Sequence, residues 1–371
     1  MDLIASPEQD ELRSSVRRFL ETKSPSEVVR TLMDDPTGYD LAVWSQMANQ
    51  LGLQGLAIPE EYGGSGFGFV ELTIVLEEMG RVLMPSPYFS TVVLAAQAIL
   101  DSGDADAAKR LLPGIADGST IATLAFTEEN GRWDLGSIAM SATKQGDGWS
   151  LSGTKSYVVD GHIAGLVVVA AQTDSGLTLF AVDGSAAGLT ATAVPALDQT
   201  RKLATITFEG VPATPIGAPG AAAESLAKTL DKVALALAAE QVGGAQRAMD
   251  MAVEYSKIRT QFDQPIGSFQ ALKHKASEVM LRVESARAAA YYGAWAVAED
   301  SDEVPTVASL AKAYCSEAFF HAAGENIQMH GGIGFTWEHD AHLYFKRAKA
   351  TQLFLGDGTY HRERLADLIG I

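Results

Sequence analysis

Apolar residues recur every three or four positions over the first hundred residues, which is the period of an amphipathic helix. The first helix is marked by Ser6, Pro7 and Gln9, which match an N-cap, a proline at the first helical position and a capping box. It continues with apolar residues at helical spacing: Leu12, Val16, Phe19 and Leu20. Further helices are predicted over about residues 39–51, 69–83 and 91–100, with a glycine-rich loop, GLAIPEEYGGSG, at residues 55–66.

The pattern changes near Thr120. From there to about Pro219, short runs rich in β-forming residues alternate with turns of Gly, Asp and Ser, which is typical of a small barrel or sandwich. The runs are too close together for a parallel sheet with crossover helices, and no Gly-x-Gly-x-x-Gly sequence follows a predicted strand. They are IATLAF (121–126), WSLSGT (149–154), SYVVDG (156–161), GLVVVAA (165–171), LTLFAV (177–182), LTATAV (189–194) and LATITF (203–208).

The helical period returns after residue 220 and holds to the end of the chain. Long, alanine-rich helices joined by short loops are typical of an antiparallel bundle. They are predicted over about residues 221–257, 269–300, 306–329, 341–353 and 360–368. We therefore predict a helical domain at residues 1–119, a β domain at 120–219 and a helical bundle at 220–371.

The composition narrows the class of protein. With 371 residues and 47% apolar content the chain can bury a large core. A formal charge of −18 disfavours a nucleic-acid or anionic-membrane surface, since both require clustered Lys and Arg. No apolar run reaches the roughly 20 residues that cross a bilayer, and the acidic N-terminus lacks the order of a secretory signal. The single cysteine, Cys315, fits a reducing compartment, so we predict a soluble, cytoplasmic protein with no metal site.

Four stretches carry the candidate chemistry. They are GLAIPEEYGGSG (55–66), TEENGRWD (127–134), RTQFDQPIGSFQ (259–270) and QMHGGIGFTWE (328–338). In this order, on an α–β–α chain of this length, they resemble the acyl-CoA dehydrogenase family over essentially the whole chain. The resemblance implies a mostly α fold with a central β domain: a helical N-terminal domain, a β-barrel middle domain and a C-terminal four-helix bundle. It also implies FAD as the cofactor and an acyl-CoA thioester as the substrate.

The resemblance assigns two segments to the nucleotide part of FAD. Arg259 matches the family's arginine at the diphosphate, where a guanidinium can form two parallel hydrogen bonds. Alone, Arg259 is more typical of a solvated cation at a helix C-terminus, and the family spacing of its neighbours Phe262, Pro265, Ile266 and Phe269 favours the diphosphate role. Glycines at the second segment let backbone amides approach the nucleotide, although they also suit a helix C-cap. The residues implied as FAD contacts in these segments are Gln261, Phe262, Phe269, Gln328, Gly331 and Gly332.

The flavin ring is implied to lie against Thr127 and Tyr157, with Thr359 as a further cofactor contact. Tyr157 replaces the family's usual tryptophan, and Val159 replaces a threonine that bonds near the reactive nitrogen. The family's Gly-Ser-Asp is Arg132-Trp133-Asp134 here, so a serine expected near coenzyme A is missing. We expect FAD binding to be retained and the acyl-CoA contacts to be rebuilt.

The chemistry requires a carboxylate that removes the substrate's α-proton while hydride leaves the β carbon for the flavin. The family most often places a Glu before a Gly-Thr pair near the C-terminus, and here LFLGDGTYHRER puts Asp357 at that position. Aspartate is one methylene shorter, which withdraws the carboxylate by about 1.5 Å, and a misplacement of that size can cost roughly 100-fold in rate. Asp-Gly between helices is also an ordinary turn.

A second candidate base lies on the first long bundle helix. Some family members use this helix, but their position is Val233 here. One heptad further on, Glu240 lies on a face of Ala, Leu and Gly, and a buried carboxylate is either paired or functional. A structural ion pair with Arg247 is the competing interpretation. We rank Asp357 first and Glu240 second.

Three functions remain open on the sequence alone. The first is an acyl-CoA dehydrogenase that passes electrons to an electron-transfer flavoprotein or a similar acceptor. The second is a flavin oxidase or monooxygenase of the same fold, such as a nitroalkane oxidase, for which an aspartate base is typical. The third is a non-catalytic subunit of a heteromeric dehydrogenase, against which Arg259, Gln328 and the double glycine argue. The resemblance implies a tetramer, either of one chain or with a related second chain.

Overall fold

The computed structural model describes residues 6–146 and 148–371. The chain divides into two compact units. The first unit contains the residues up to Arg30, Phe69–Met84 and Ala234–Ile371; the second contains Thr31–Gly68 and Pro85–Val233. None of the helices among the described residues is both long and apolar enough to span a bilayer. The predicted fold class, mostly helical with a central barrel of strands, is confirmed.

Eleven α-helices are assigned among the described residues, and most begin and end within a few residues of their prediction. Ser6 caps the first helix as predicted, with both hydrogen bonds of the capping box. The helices are α1 (Pro7–Lys23), α2 (Ser26–Asp34), α3 (Leu41–Leu51), α4 (Phe69–Arg81), α5 (Ala96–Asp101), α6 (Ala105–Ala116), α7 (Ala222–Ile258), α8 (Gln270–Ala298), α9 (Val304–His330), α10 (Ala341–Leu353) and α11 (Gly358–Ile369). The sequence prediction missed α2 and α6, and the helix predicted over 91–100 is a π-helix at Phe89–Ala95 continued by α5.

The second unit contains a seven-stranded sheet that closes on itself. Its strands are β1 (Ala122–Ala125), β2 (Ser141–Gln145), β3 (Gly148–Val159), β4 (Leu166–Thr173), β5 (Gly176–Asp183), β6 (Leu189–Val194) and β7 (Leu203–Ile216). The strands β4, β2, β3, β7 and β5 pair in that order, and β5 returns to β4. The interior is filled by alternate apolar residues such as Leu151, Phe180 and Phe208. These five strands form the closed ring, while β1 and β6 each pair with one strand only, β4 and β7.

Two predictions for this sheet need correction: β2 was missed, and β3 was divided into two strands. The runs at 149–154 and 156–161 are not two strands; they lie in the single strand β3. Its pairing with β7 is irregular between Lys155 and Val158, and Tyr157 there has a φ of 59°, in the left-handed region. A bulge of this kind redirects a side chain without ending the strand.

The first unit is held by close helix packing and by a buried ionic network. A Cβ on Gly243 of α7 would overlap with the carbonyl oxygen of Glu77 on α4, so the backbones of these helices touch. Glu77 and Glu78 are buried, and Arg13 of α1 donates to both, at 2.8 Å and 3.0 Å. Arg287 of α8 also pairs with Glu77. These charges are compensated within the core and join three helices.

Candidate active site

In the second unit, Thr127 lies just beyond the end of β1 and is fixed to the bulge of β3. Its hydroxyl donates to the carbonyl oxygen of Ser156 at 2.5 Å, and the Ser156 amide donates back to the Thr127 carbonyl at 3.0 Å. Thr127 is buried, whereas Tyr157 beside it is 43% exposed. The structure therefore brings together the two residues that the sequence assigned to the flavin ring.

A buried lysine supports this segment, and sequence reasoning did not find it. Lys155 is fully buried, and its Nζ donates to Glu128 Oε1 at 2.8 Å. Glu128 also accepts from the Met140 amide at 2.9 Å. Burial alone would raise the pKa of Glu128, but the bonds from Lys155 and Met140 outweigh it and lower that pKa. The segment after β1 is thus held by a charged anchor next to Thr127.

The departures from the family pattern at residues 132–134 are accounted for locally. Arg132 bonds to Asp134 at 2.9 Å on the surface. The Trp133 ring lies 6.0 Å from the ring of Phe126. Both substituted residues thus have contacts within their own segment.

In the first unit, the two nucleotide segments follow the ends of α7 and α9. A stack between Tyr255 and His330, with ring centroids 4.3 Å apart, joins these helix ends. Arg259 follows one turn after Tyr255 and donates its amide to the Tyr255 carbonyl at 2.9 Å, while Gly331 directly follows His330. The structure therefore brings these two sequence-predicted segments together.

The groups at these segments have unused binding capacity. Arg259 is exposed, and its guanidinium has no hydrogen-bond or ion-pair partner among residues 6–146 and 148–371. No atom lies within 4 Å of a Cβ placed on Gly331 or Gly332, apart from their chain neighbours. The unpaired guanidinium of Arg259, together with backbone amides at Gly331 and Gly332 that no side chain covers, fits a diphosphate. Gln328 is exposed one turn before Gly331.

A two-residue turn presents the aromatic group of the first segment. Thr260–Gln261 pairs with Gln264–Pro265, and the turn residues Phe262 and Asp263 have φ values of 53° and 61°. Phe262 is 86% exposed, and its ring meets Phe269 edge-on at 6.1 Å. Gln261 is exposed as well. This turn offers an apolar ring and an amide side chain to a ligand.

Asp357 caps the last helix. Its Oδ1 accepts the Tyr360 amide at 2.9 Å, and its side chain is exposed. The bond from Tyr360 lowers the pKa of Asp357, so the carboxylate is ionised at neutral pH. Leu355 and Gly356 turn the chain immediately before it, with φ values of 64° and 98°. Thr359 is exposed in the first turn of α11.

Glu240 lies in the interior of the helical unit. It is 4% exposed, and its Oε1 accepts from Arg347 Nη1 at 2.8 Å. The predicted ion-pair partner, Arg247, is wrong: Arg247 pairs with Glu254, at 3.4 Å. Arg347 lies on α10, which sequence spacing along α7 could not reveal. The two candidate bases therefore differ in both exposure and pairing.

Comparisons with known proteins agree with this arrangement. Models of the acyl-CoA dehydrogenase N-terminal, middle and C-terminal domains match residues 6–119, 123–211 and 223–370. The acyl-CoA dehydrogenase IpdE2 of Mycolicibacterium smegmatis is 36% identical over 362 residues, covering 97% of this chain and 98% of that protein.

Two solved structures are similar over nearly the whole chain. A variant of the Tcur3481-Tcur3483 steroid ACAD is 33% identical with a TM-score of 0.89, covering 98% of each chain. The ChsE4-ChsE5 complex of Mycobacterium tuberculosis is 29% identical with a TM-score of 0.91, covering 100% of this chain and 99% of that one. FAD is the cofactor of the family, and the residues around Arg259 and Gly331 fit its diphosphate. The chain belongs to the acyl-CoA dehydrogenase family and is a FAD-dependent oxidoreductase.

Proposed function

We propose that this chain oxidises the α,β bond of an acyl-CoA thioester with Asp357 as the base that removes the α-proton. Bound FAD supplies the acceptor for the hydride from the β carbon. The observation that carries the choice of base is the difference between the two carboxylates. Asp357 is exposed and makes no ion pair among the described residues, whereas Glu240 is buried against Arg347. A carboxylate held by a buried arginine is a poor proton acceptor.

Asp357 needs the substrate in order to become an effective base. Without substrate, the Tyr360 amide stabilises the charged form and lowers the pKa. A thioester that covers the side chain removes water from it, and desolvation shifts a carboxylate pKa upward, towards the operating pH. The backbone amide of Asp357 can polarise the thioester carbonyl in the same step. Proton removal is thereby coupled to substrate binding.

We infer that the acyl group is bulky, of the fused-ring kind. The similarity to a steroid ACAD supports this proposal. The small residues Gly243 and Gly244 of α7 do not add to this support. A Cβ on Gly243 would overlap Glu77, and a Cβ on Gly244 would overlap the Phe319 ring, so both glycines serve helix packing.

Anaerobic bleaching of the flavin absorbance tests the function and the substrate class together. We expect a steroid-ring acyl-CoA to bleach the flavin with a higher kcat/KM than butyryl-CoA, and a nitroalkane to leave it oxidised. Bleaching by the nitroalkane and by neither thioester would overturn the dehydrogenase assignment. A preference for butyryl-CoA would overturn only the substrate class.

We also propose that the chain works as a tetramer, a dimer of dimers of one chain or with a related second chain. The ChsE4-ChsE5 structure is a complex of two kinds of chain. On the first unit, large apolar side chains are exposed, among them Met280 and Leu281 of α8 and Phe335 and Trp337 after α9. A sedimentation mass near 39 kDa at micromolar concentration would contradict this proposal. An electron-transfer flavoprotein or a similar acceptor would then reoxidise the flavin.

A further inference from the structure

Lys312 is a fully buried lysine at the base of the Asp357 segment. It lies in α9 with 0% exposure. Its Nζ donates to Gly356 O at 2.8 Å, to Ser316 Oγ at 3.1 Å and to Gln352 O at 3.2 Å. An ammonium has three donors, and here all three are used on neutral oxygens. In the part of the chain that the structure describes, no carboxylate accepts a hydrogen bond from Lys312.

This arrangement is costly as a purely structural device. A buried ammonium without a paired carboxylate loses several kcal/mol of hydration, roughly, and an apolar side chain could fill the same space. Burial lowers the pKa of Lys312 to about 7. The bonds to Gln352 and Gly356 tie the last turn of α10 to the residue immediately before Asp357. The lysine thus spans the left-handed turn that aims the Asp357 carboxylate.

A second line of contacts fixes the lysine itself. Ser316 Oγ, which accepts from Lys312, also accepts from Gln241 Nε2 of α7 at 3.1 Å. The hydrogen bonds through Ser316 and Lys312 therefore fix Gly356 relative to two long helices of the first unit, α7 and α9. A turn without contacts to rigid helices would not hold a carboxylate within the fraction of an ångström that proton transfer requires.

We propose that Lys312 is a positioning residue for the α-proton abstraction: it holds the Gly356 carbonyl and so sets the direction of Asp357, and its ammonium form adds to the Tyr360 amide in favouring the ionised carboxylate. The inference rests on the proposed role of Asp357. It adds a residue from α9 that touches no reacting atom and acts through the backbone and through its charge.

The titratable groups that face Lys312 and Asp357 lie on two helices, α9 and α11. On α9 they are Cys315, whose thiol is neutral because burial raises its pKa to about 12, and Glu317. On α11 they are His361, kept neutral because burial lowers its pKa to about 3, and Arg362, which pairs with Glu317. Gln241 of α7, Gln352 of α10 and the Leu355–Gly356 turn contribute only neutral groups. Arg364 of α11, which donates to Ser309 Oγ at 3.0 Å, is a further cation near His361. Lys312 itself donates only to neutral oxygens.

The test compares Lys312→Met, which removes the charge and the three donors, with Lys312→Arg, which keeps the charge. Lys275→Met is the matched control, since Lys275 of α8 pairs with Glu325 at 2.7 Å in the same unit. The readouts are flavin content and the rate of flavin reduction at saturating acyl-CoA, measured by rapid mixing from pH 5 to 9.

We expect Lys312→Met to keep its flavin and to reduce it roughly 10- to 100-fold more slowly, as for a misplaced catalytic group. The acid limb of its pH profile should move to higher pH, because removal of a nearby cation raises a carboxylate pKa. Lys312→Arg should restore the position of that limb, and Lys275→Met should match the unmodified protein. An unmoved limb in Lys312→Met overturns the proposal, whatever the rate.

Two further variants keep the outcomes separate. If Lys312→Met fails to fold, Lys312→Gln replaces it, because an amide keeps donors for Gly356 but carries no charge. Identical pH profiles of flavin reduction in Lys312→Gln and Lys312→Arg would then overturn the proposal. Asp357→Asn tests the function beneath it. Normal reduction in Asp357→Asn means that the proposed base is wrong, whereas loss there with an unmoved limb in Lys312→Met means that only Lys312 is misassigned.

Discussion

The carboxylates buried inside the helical unit and the charged groups exposed at the ends of its helices differ in whether an ion pair uses their bonding capacity. In the interior, Glu240 is paired with Arg347, and Glu77 is paired with Arg13 and Arg287. At the helix ends, Arg259 and Asp357 are exposed, and neither side chain takes part in an ion pair among the described residues. A group whose bonding capacity is already used stabilises the fold, and a group with capacity left can bind a ligand.

This difference separates two carboxylates that the sequence could not separate. Asp357 was a reasonable base by its position, and Glu240 was a reasonable base by its apolar surroundings. The partner of Glu240 lies 107 residues away on α10, and its presence turns an apparently reactive carboxylate into half of a buried ion pair. The predictions below test this distinction between helix ends and interior.

The largest effect is expected at Asp357. Asp357→Asn should retain yellow flavin and acyl-CoA binding, because the amide is nearly isosteric, and should lose flavin reduction by about 10²- to 10⁴-fold, the range for loss of a general base. Rapid-mixing absorbance at saturating substrate measures this. Glu240→Gln is the comparison and should reduce its flavin at close to the normal rate. The reverse order would make Glu240 the base and Asp357 only a cap.

The next effect concerns stability. Glu240→Gln leaves the buried Arg347 guanidinium without its carboxylate, which should cost roughly 3–5 kcal/mol in the free energy of unfolding. Denaturant unfolding followed by circular dichroism measures it. The double variant Glu240→Leu with Arg347→Met should recover most of the loss, since it removes both charges. A loss in the double variant equal to that in Glu240→Gln would show that packing, not pairing, explains the effect.

A smaller effect is expected at Arg259, a cation at a helix end. Arg259→Ala should leave the unfolding midpoint of the flavin-free protein nearly unchanged, because the guanidinium has no partner among the described residues. It should weaken FAD binding by roughly 10- to 100-fold, equivalent to one charged hydrogen-bonding contact of about 1.5–3 kcal/mol. Flavin content after dialysis and a titration with FAD measure this. Arg18→Ala, at another exposed arginine, is the control; equal FAD affinity in both variants would refute the assignment.

The fold was largely predictable because its elements are long and strongly periodic. The helices α7 to α11 follow the predicted ranges closely, and α7 to α10 each bury a series of apolar residues. Two kinds of feature were not predictable. The π-helix at residues 89–95 has the apolar content of an α-helix, and the single strand β3 contains Gly153 and the Tyr157 bulge, which look like breaks between strands.

Site residues could be proposed from the sequence only where short motifs carry them. Arg259, Gly331 and Asp357 belong to local sequence patterns, so their positions could be assigned before any contact was known. Lys155 and Lys312 could not be found in the same way. Lys155 bonds to Glu128, 27 residues away, and Lys312 bonds to Gly356, 44 residues away. An isolated lysine in a sequence is usually exposed.

The smallest predicted effect is a pH dependence of stability at Asp357, and it follows from the cap. The Tyr360 amide lowers the pKa of Asp357 in the folded chain, while the unfolded chain keeps the ordinary value near 3.9. The unfolded state therefore binds more protons between these values, so the contribution is fully present above about pH 5 and is lost as the pH falls through the lowered folded-state pKa. The side chain is exposed, which limits the effect to less than about 1 kcal/mol. The asparagine in Asp357→Asn can cap the helix but does not titrate. The difference in Tm between this variant and the unmodified protein should therefore shrink between pH 5 and pH 2.5. A difference that is constant over this range would contradict the role of Asp357 as an ionised cap.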